Sequence, residues 1–294
     1  MRQQRIDQEI FDILKRQFER GKGESRHEKK QKGAFSAQSN FIHAKKTFET
    51  YRQQSKVFAK YARETLDVRK LKDLALTDVG KWLEYRQGCG DSPSTLKTRA
   101  AAMAKVLQCS STDFGFKSPI RRSEDITRSR GVVKMDVRLN KEIHVDVLTV
   151  AKGTGMRRVE LQRLKPDQIE VRDGQAYITG VHGKNGLERT IPVLKKYNDT
   201  VIAIIEKSET AKVFPFKIST YIDVHSYRGE YAKAMYDQIL DEKKASGEEI
   251  KLDYHTRGTV KISLDRTITG EVSKTLGHKR VSVTVTHYLK HHFA

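Results

Sequence analysis

QIEVRDGQAYITGVHGKNGLERTIPV, residues 168–193, is the stretch on which the fold turns. Residues 168–172, 176–181 and 188–193 are strand-like, and Asp173-Gly174 and Asn185-Gly186 separate them. Glycine and asparagine accept the positive φ that two-residue hairpin turns need, so a small antiparallel sheet is expected. Upstream, Ile143, Val147, Leu148 and Val150 mark a helix over residues 141–151 that stops at Gly153 to Gly155. A second helix begins near Arg157 and ends before Pro166. Downstream, helices are expected over residues 198–206, 227–240 and 270–276, with a charged loop over 241–249. No repeat of fixed period is present.

The N-terminal half reads as helices joined by polar breaks. Ile6, Ile10, Leu14 and Phe18, with Phe11 beside them, form an apolar stripe over residues 3–19. Residues 21–33 carry Lys22, Arg26, Lys29, Lys30 and Lys32 with almost nothing apolar, which predicts a flexible basic linker. Phe41, Phe48, Tyr51, Phe58 and Ala62 then mark one face of a long helix over residues 35–63, whose other face carries Lys45, Lys46, Arg52, Lys56 and Lys60. Another helix runs from about Asp78 through Trp82 to Tyr85. After the break at Gly88 to Ser92, Ser94 is expected to cap a helix bearing Leu96, Ala100, Met103 and Leu107. The expected organisation is an N-terminal helix and flexible basic segment (1–34), a helical domain with basic outer faces (35–109), a basic linker (110–140) and a C-terminal α+β domain (141–294). The fold class is mainly α with a small antiparallel β-sheet.

Lys and Arg total 57 against 37 Asp and Glu, a net charge of +20, which makes an acidic polymer the natural partner. Nucleic acid leads over an anionic membrane surface. Cys89 and Cys109 have no metal-ligand or redox spacing, as suits a reduced compartment. No apolar run approaches the roughly 18 residues of a membrane span, and Met1-Arg2-Gln3-Gln4 opens no apolar leader, so a soluble cytoplasmic protein is expected.

Four places carry chemistry. Gly153-Thr154-Gly155-Met156-Arg157-Arg158-Val159-Glu160-Leu161 puts Arg157 just inside a helix after a glycine turn, a position that aims a guanidinium at an anion. His225-Ser226-Tyr227-Arg228 puts a histidine and an arginine about one turn apart, pointing to one side. Lys184, at the tip of the second hairpin, can reach into a groove and protonate a leaving oxygen. Leu276-Gly277-His278 is followed ten residues after His278 by Tyr288, a reactive phenol on a final segment.

In this order the set resembles the signatures of the tyrosine recombinases, the phage-type integrases. Thr154 to Leu161 matches the first arginine box and Gly183-Lys184 the hairpin lysine. His225 to Arg228 matches the His-x-x-Arg box, and Leu276-Gly277-His278 with Tyr288 completes the set. Residues 35–109, with Ser92-Pro93-Ser94-Thr95-Leu96 before the last helix, are similar to the family's core-binding domain. Three departures stand out. Arg228 and His278 are 50 residues apart, which suggests an insertion over about 241–264. The step from His278 to Tyr288 is one residue longer than is common, and Gly229 stands where a histidine often follows the second arginine. These features resemble integrases of integrative and conjugative elements or genomic islands. The wide gap also raises a rival pair, His255 and Arg257, but its spacing of two splits the side chains on a helix.

The resemblance implies a site-specific recombinase that cleaves and rejoins DNA through a 3′-phosphotyrosyl intermediate, integrating or excising a mobile element. Tyr288 would be the nucleophile, Arg157 and Arg228 the phosphate-binding pair, and Lys184 the acid. His225 and His278 would be phosphate or proton ligands, with Glu160 orienting Arg157. Energy is kept in the phosphotyrosyl bond, so no cofactor, ATP or metal is implied. The implied partners are double-stranded attachment sites, further copies of the chain (monomer or dimer when free, four in a synapse) and an accessory directionality factor. The alternatives are a non-catalytic architectural DNA-binding protein of the same fold and a type IB topoisomerase.

Overall fold

The computed structural model describes residues 5–24, 29, 32–33, 39–121, 139–183, 188–256 and 261–293. The chain divides into two compact units, Met1–Thr127 and Arg128–Ala294.

The first unit is helical. Helices α1 (Ile6–Gly21), α2 (Lys45–Thr65), α3 (Leu76–Gly88) and α4 (Pro93–Leu107) share one core. Ile6, Ile10 and Leu14 fall on one stripe of α1 and bury against the Phe58, Ala59 and Ala62 stripe of α2. Trp82 of α3 meets Phe58 edge-on at 5.1 Å between ring centroids. Four expectations shift. Helix α1, expected as a separate N-terminal segment, contributes to this core, as does Phe114, expected in the linker. Gly80 lies so close beneath Phe114 that a Cβ there would be 2.3 Å from its carbonyl oxygen. The cap of α4 is Ser92, not Ser94, because Pro93 takes the first helical position, where its missing N–H costs nothing; Ser92 Oγ accepts from the Thr95 N–H at 3.2 Å. Helix α2 starts at Lys45 rather than Phe35. The basic positions Lys45, Lys46, Arg52, Lys56 and Lys60 are exposed on α2. Residues 25–28, 30 and 31 of the basic stretch, and the cluster Arg128, Arg130 and Lys134, lie outside the described residues.

In the second unit, α5 (Val145–Thr154) and the single turn α6 (Arg158–Leu161) precede the three-stranded antiparallel sheet β1 (Ile169–Arg172), β2 (Gln175–His182) and β3 (Glu188–Pro192), in the order β1-β2-β3. Ile178 pairs with Ile169 on one side and Ile191 on the other. With Ala176, Ile178 and Ile191 give the sheet its buried face. A bulge between Ile178 and Val181 is formed where Gly180 takes φ +60°. Helices α7 (Asn198–Glu206), α8 (Val224–Ala245) and α9 (Arg266–Thr275) complete the core, and between α8 and α9 lies a two-stranded pair, β4 (Tyr254–His255) and β5 (Ser263–Leu264). Of the charged stretch expected as a loop over 241–249, residues 241–245 are instead the last turn of α8, with Glu242 paired to Lys195 at 2.9 Å. The chain closes with α10 (Val281–Thr284), one π-helical turn (Val285–Leu289) and α11 (Lys290–Phe293). The fold is mainly α with a small antiparallel sheet, as expected. Among the described residues no helix is long and apolar enough to cross a membrane.

Candidate active site

The second unit gathers three arginines around the C-terminus of α9. Gly277 takes the left-handed conformation, φ +69°, and closes the helix. The His278 N–H returns to the Ser273 carbonyl and the Gly277 N–H to the Lys274 carbonyl, each at 2.8 Å. This double closure uses the carbonyls of Ser273 and Lys274, and leaves those of Thr275 and Leu276 at the negative end of the helix dipole. Guanidinium groups take both. Arg228 Nη2 and Arg157 Nη2 (3.3 Å) donate to Leu276, and Arg189 Nε donates to Thr275 at 2.8 Å. Leu276 itself is fully buried. The physical content of Leu276-Gly277-His278 is therefore an apolar anchor, a left-handed turn and an imidazole projected beside the arginines.

Arg157 is held from the other side. Gly155 ends α5 at φ +59°, and Tyr231 packs so tightly beneath it that a Cβ would lie 2.5 Å from Cδ1. Arg157 then stands in extended backbone as the residue capping α6, not inside the helix as expected. Glu160 returns to it: its Oε2 accepts from the Arg157 N–H at 2.7 Å and its Oε1 from Nη1 at 2.8 Å. The same carboxylate takes Arg189 Nη1 at 3.1 Å and Nη2 at 2.8 Å. Burial would raise the Glu160 carboxyl, but the bonds from Arg189 and Arg157 overcome it and hold the pKa at about 2. Arg157 keeps its side chain 29% exposed.

Arg228 is 1% exposed. Asp223 accepts from the Ser226 N–H and hydroxyl, fixing the first turn of α8 that carries it. Its guanidinium bonds the carbonyls of Gly155 and Leu276 and, through Nε, the Tyr288 hydroxyl at 3.3 Å. Burial, with Arg157 nearby, lowers its pKa to about 10, partly offset by Tyr288 and Glu160, so it stays charged at neutral pH. A buried cation held by dipoles rather than by its own carboxylate is poised for an anionic ligand.

Tyr288 is 5% exposed and docked against Arg228. Its ring centroid is 5.1 Å from that of His225 and 5.6 Å from that of His278. It lies in the π-helical turn Val285–Leu289, whose i→i+5 bonding takes in one residue more than an α-helical turn. That turn absorbs the long step from His278. His225 is exposed on the first turn of α8, one turn from Arg228, as its spacing implied. His278 Nε2 is 3.5 Å from Arg228 Nη2; burial, then the charges of Arg228, Arg157 and Arg189, lowers its pKa to about 4, and the ring is neutral.

Of the expected site residues, Arg157, Glu160, His225, Arg228, His278 and Tyr288 converge, and Lys184 lies outside the described residues. The rival His255 sits on β4, where Nδ1 is 2.9 Å from Ser263 Oγ, and Arg257 lies outside the described residues. Arg189 was missed. It is one polar residue in an alternating strand, and its partners lie 29 and 86 residues away, so no local pattern marks it.

The sequence model of the Phage integrase family matches residues 139–294. A comparison with curated proteins finds no match. Among solved structures, XerH site-specific recombinase bound to difH substrate in a pre-cleavage complex is 15% identical, with a TM-score of 0.54 over 95% of this chain and 91% of that one. A lambda integrase dimer bound to a COC′ core site is 14% identical, with a TM-score of 0.56 over 94% and 76%. At these identities the structures share the fold. Together with the family match across the second unit, they establish that the chain belongs to the phage integrase family, the tyrosine recombinases.

Proposed function

We propose that the protein is a site-specific recombinase that cuts and rejoins DNA strands through Tyr288, integrating or excising a mobile element. The observation that carries this reading is the Tyr288 hydroxyl 3.3 Å from Arg228 Nε, between the rings of His225 and His278, with Arg157 on the same Leu276 carbonyl as Arg228. A phenol has an unperturbed pKa near 10, so it attacks at neutral pH only with help. Arg157 and Arg228 hold the two non-bridging oxygens of the scissile phosphate and stabilise the charge of the five-coordinate transition state. Tyr288 Oη forms a bond to phosphorus as the bond to the 5′ oxygen breaks. The phenolic proton passes to a neighbouring base, with neutral His278 or His225 placed to accept it, and Lys184 supplies a proton to the departing 5′ hydroxyl. An arriving phosphate carries negative charge into the site and raises the pKa of His278 from its low value. Attack by a 5′ hydroxyl of the partner duplex on the 3′-phosphotyrosyl bond reverses the step on a new strand.

Exchange between two duplexes requires four cuts, hence four copies of the chain assembled on DNA. The helical first unit, with the exposed basic face of α2, is suited to hold the duplex backbone, an attraction that weakens steeply with salt. An accessory directionality factor would bias integration against excision. The test is a nicked suicide substrate carrying the cognate site. Wild type should form a complex that survives denaturing electrophoresis, and Tyr288→Phe should form none. A complex retained by Tyr288→Phe ends this reading, and relaxation of a plasmid without a site would assign the chemistry to a topoisomerase instead.

A further inference from the structure

We infer that Arg189 is a positioning residue for DNA cleavage, one that shares Glu160 with Arg157 and fixes that carboxylate to the turn that presents His278, so that a net positive charge is left for the scissile phosphate. The inference rests on the recombinase reading above.

Glu160 faces two guanidiniums with very different postures. Arg157 is 29% exposed, and its bonds to Glu160 come from the backbone N–H and one Nη. Arg189 is 7% exposed and turns inward, with both Nη atoms on the carboxylate and Nε on the Thr275 carbonyl. A planar fork of this kind matches a carboxylate edge, which a lysine cannot do. With Arg189 absent, the one negative charge of Glu160 would be balanced by Arg157 alone, and the group meant for the phosphate would be neutralised by its own support. With Arg189 present, the set of Arg157, Arg189 and Glu160 keeps one net positive charge, to which Arg228 adds a second.

The same side chain also sets geometry. Its Cδ lies 3.2 Å from where a Cβ on Gly277 would stand, so the left-handed turn before His278 is packed directly on Arg189. One strand residue thus ties α6, β3 and the end of α9 into a single frame. A misplacement of about 1 Å in such a frame costs on the order of 10²-fold in rate.

Two variants separate charge from bulk. Arg189→Met keeps length and volume without charge; Arg189→Lys keeps charge without the fork. Single-turnover cleavage of the suicide substrate should fall about 10²-fold in Arg189→Met and about tenfold or less in Arg189→Lys, with the Kd for uncut DNA moving less than about threefold in either. A substrate whose scissile phosphate is a neutral methylphosphonate needs less positive charge, and should close most of the gap between Arg189→Met and wild type. Equal losses in Met and Lys with no recovery on the methylphosphonate would reduce Arg189 to a packing residue and overturn the inference. So would cleavage by Arg189→Met at the wild-type rate. Wild type cutting the phosphate substrate normally in those cases leaves the recombinase reading standing; wild type failing to cut it removes both.

Discussion

Replacing Glu160 by Gln tests the frame of the site through stability alone. Glu160 is 6% exposed and receives four hydrogen bonds, two from Arg157 and two from Arg189. Its pKa falls from an ordinary 4.5 to about 2, a differential binding of the ionised form worth about 3 kcal/mol at neutral pH. An independent expectation, the cost of removing one partner from a buried ion pair, is about 3–5 kcal/mol. The amide of Gln also turns an N–H₂ toward a guanidinium, so it cannot replace the lost acceptor. The sign follows from the depressed carboxyl. The stabilisation is fully present above about pH 4.5, is lost as pH falls toward about 2, and is roughly half gone near pH 3.3. Urea unfolding of wild type and Glu160→Gln, followed by a signal from the second unit, should show a gap of about 3 kcal/mol at pH 7 that narrows as the pH falls below 4.5. A variant within about 0.5 kcal/mol of wild type at pH 7, well inside the scatter of neutral surface changes, would refute the buried-carboxylate reasoning.

Three further outcomes are expected. Gly155→Ala sets a side chain at φ +59° with its Cβ 2.5 Å from a Tyr231 ring carbon, and should destabilise the second unit by roughly 2 kcal/mol or more by urea unfolding. His278, whose folded pKa is about 4, should remain neutral by NMR titration down to about pH 5; the unfolded chain binds that proton first, so stability falls as pH drops from about 6.5 toward 4, and His278→Asn should lessen that fall. Lys184→Ala should cleave poorly, and a 5′-thiol leaving group, which departs without a proton, should restore much of the rate; a sulfur substrate cut no better would show that Lys184 is not the acid.

What was legible in the sequence was what short-range chemistry dictates. Asp173-Gly174, where both residues take positive φ, placed the first hairpin, and the three strands lie within a residue or two of their expected bounds; Asn185-Gly186 lies outside the described residues. Helix α7 begins at Asn198, as its pattern implied. Boundaries set by competition were harder. Ser92 outranks Ser94 as a cap because Pro93 between them takes the first helical position, and α8 continues past Leu240 to Ala245, where Glu242 also meets Lys195 from a distant segment. At the site, the arginine, histidine and tyrosine boxes could be found because each is a local cluster. Arg189 could not, since its meaning lies wholly in Glu160 and Thr275. Nor could the π-helical turn at Val285–Leu289, which converts an awkward spacing into a tyrosine that reaches Arg228.

The most direct measurement is to trap the protein on the nicked suicide substrate, digest the covalent complex with protease and sequence the DNA-linked peptide by mass spectrometry. The expected result is a single nucleotide adduct on the phenolic oxygen of Tyr288, 3.3 Å from Arg228 Nε before DNA arrives. An adduct on any other residue, or none when wild type is trapped on its cognate site, would contradict the assignment of Tyr288 as the nucleophile.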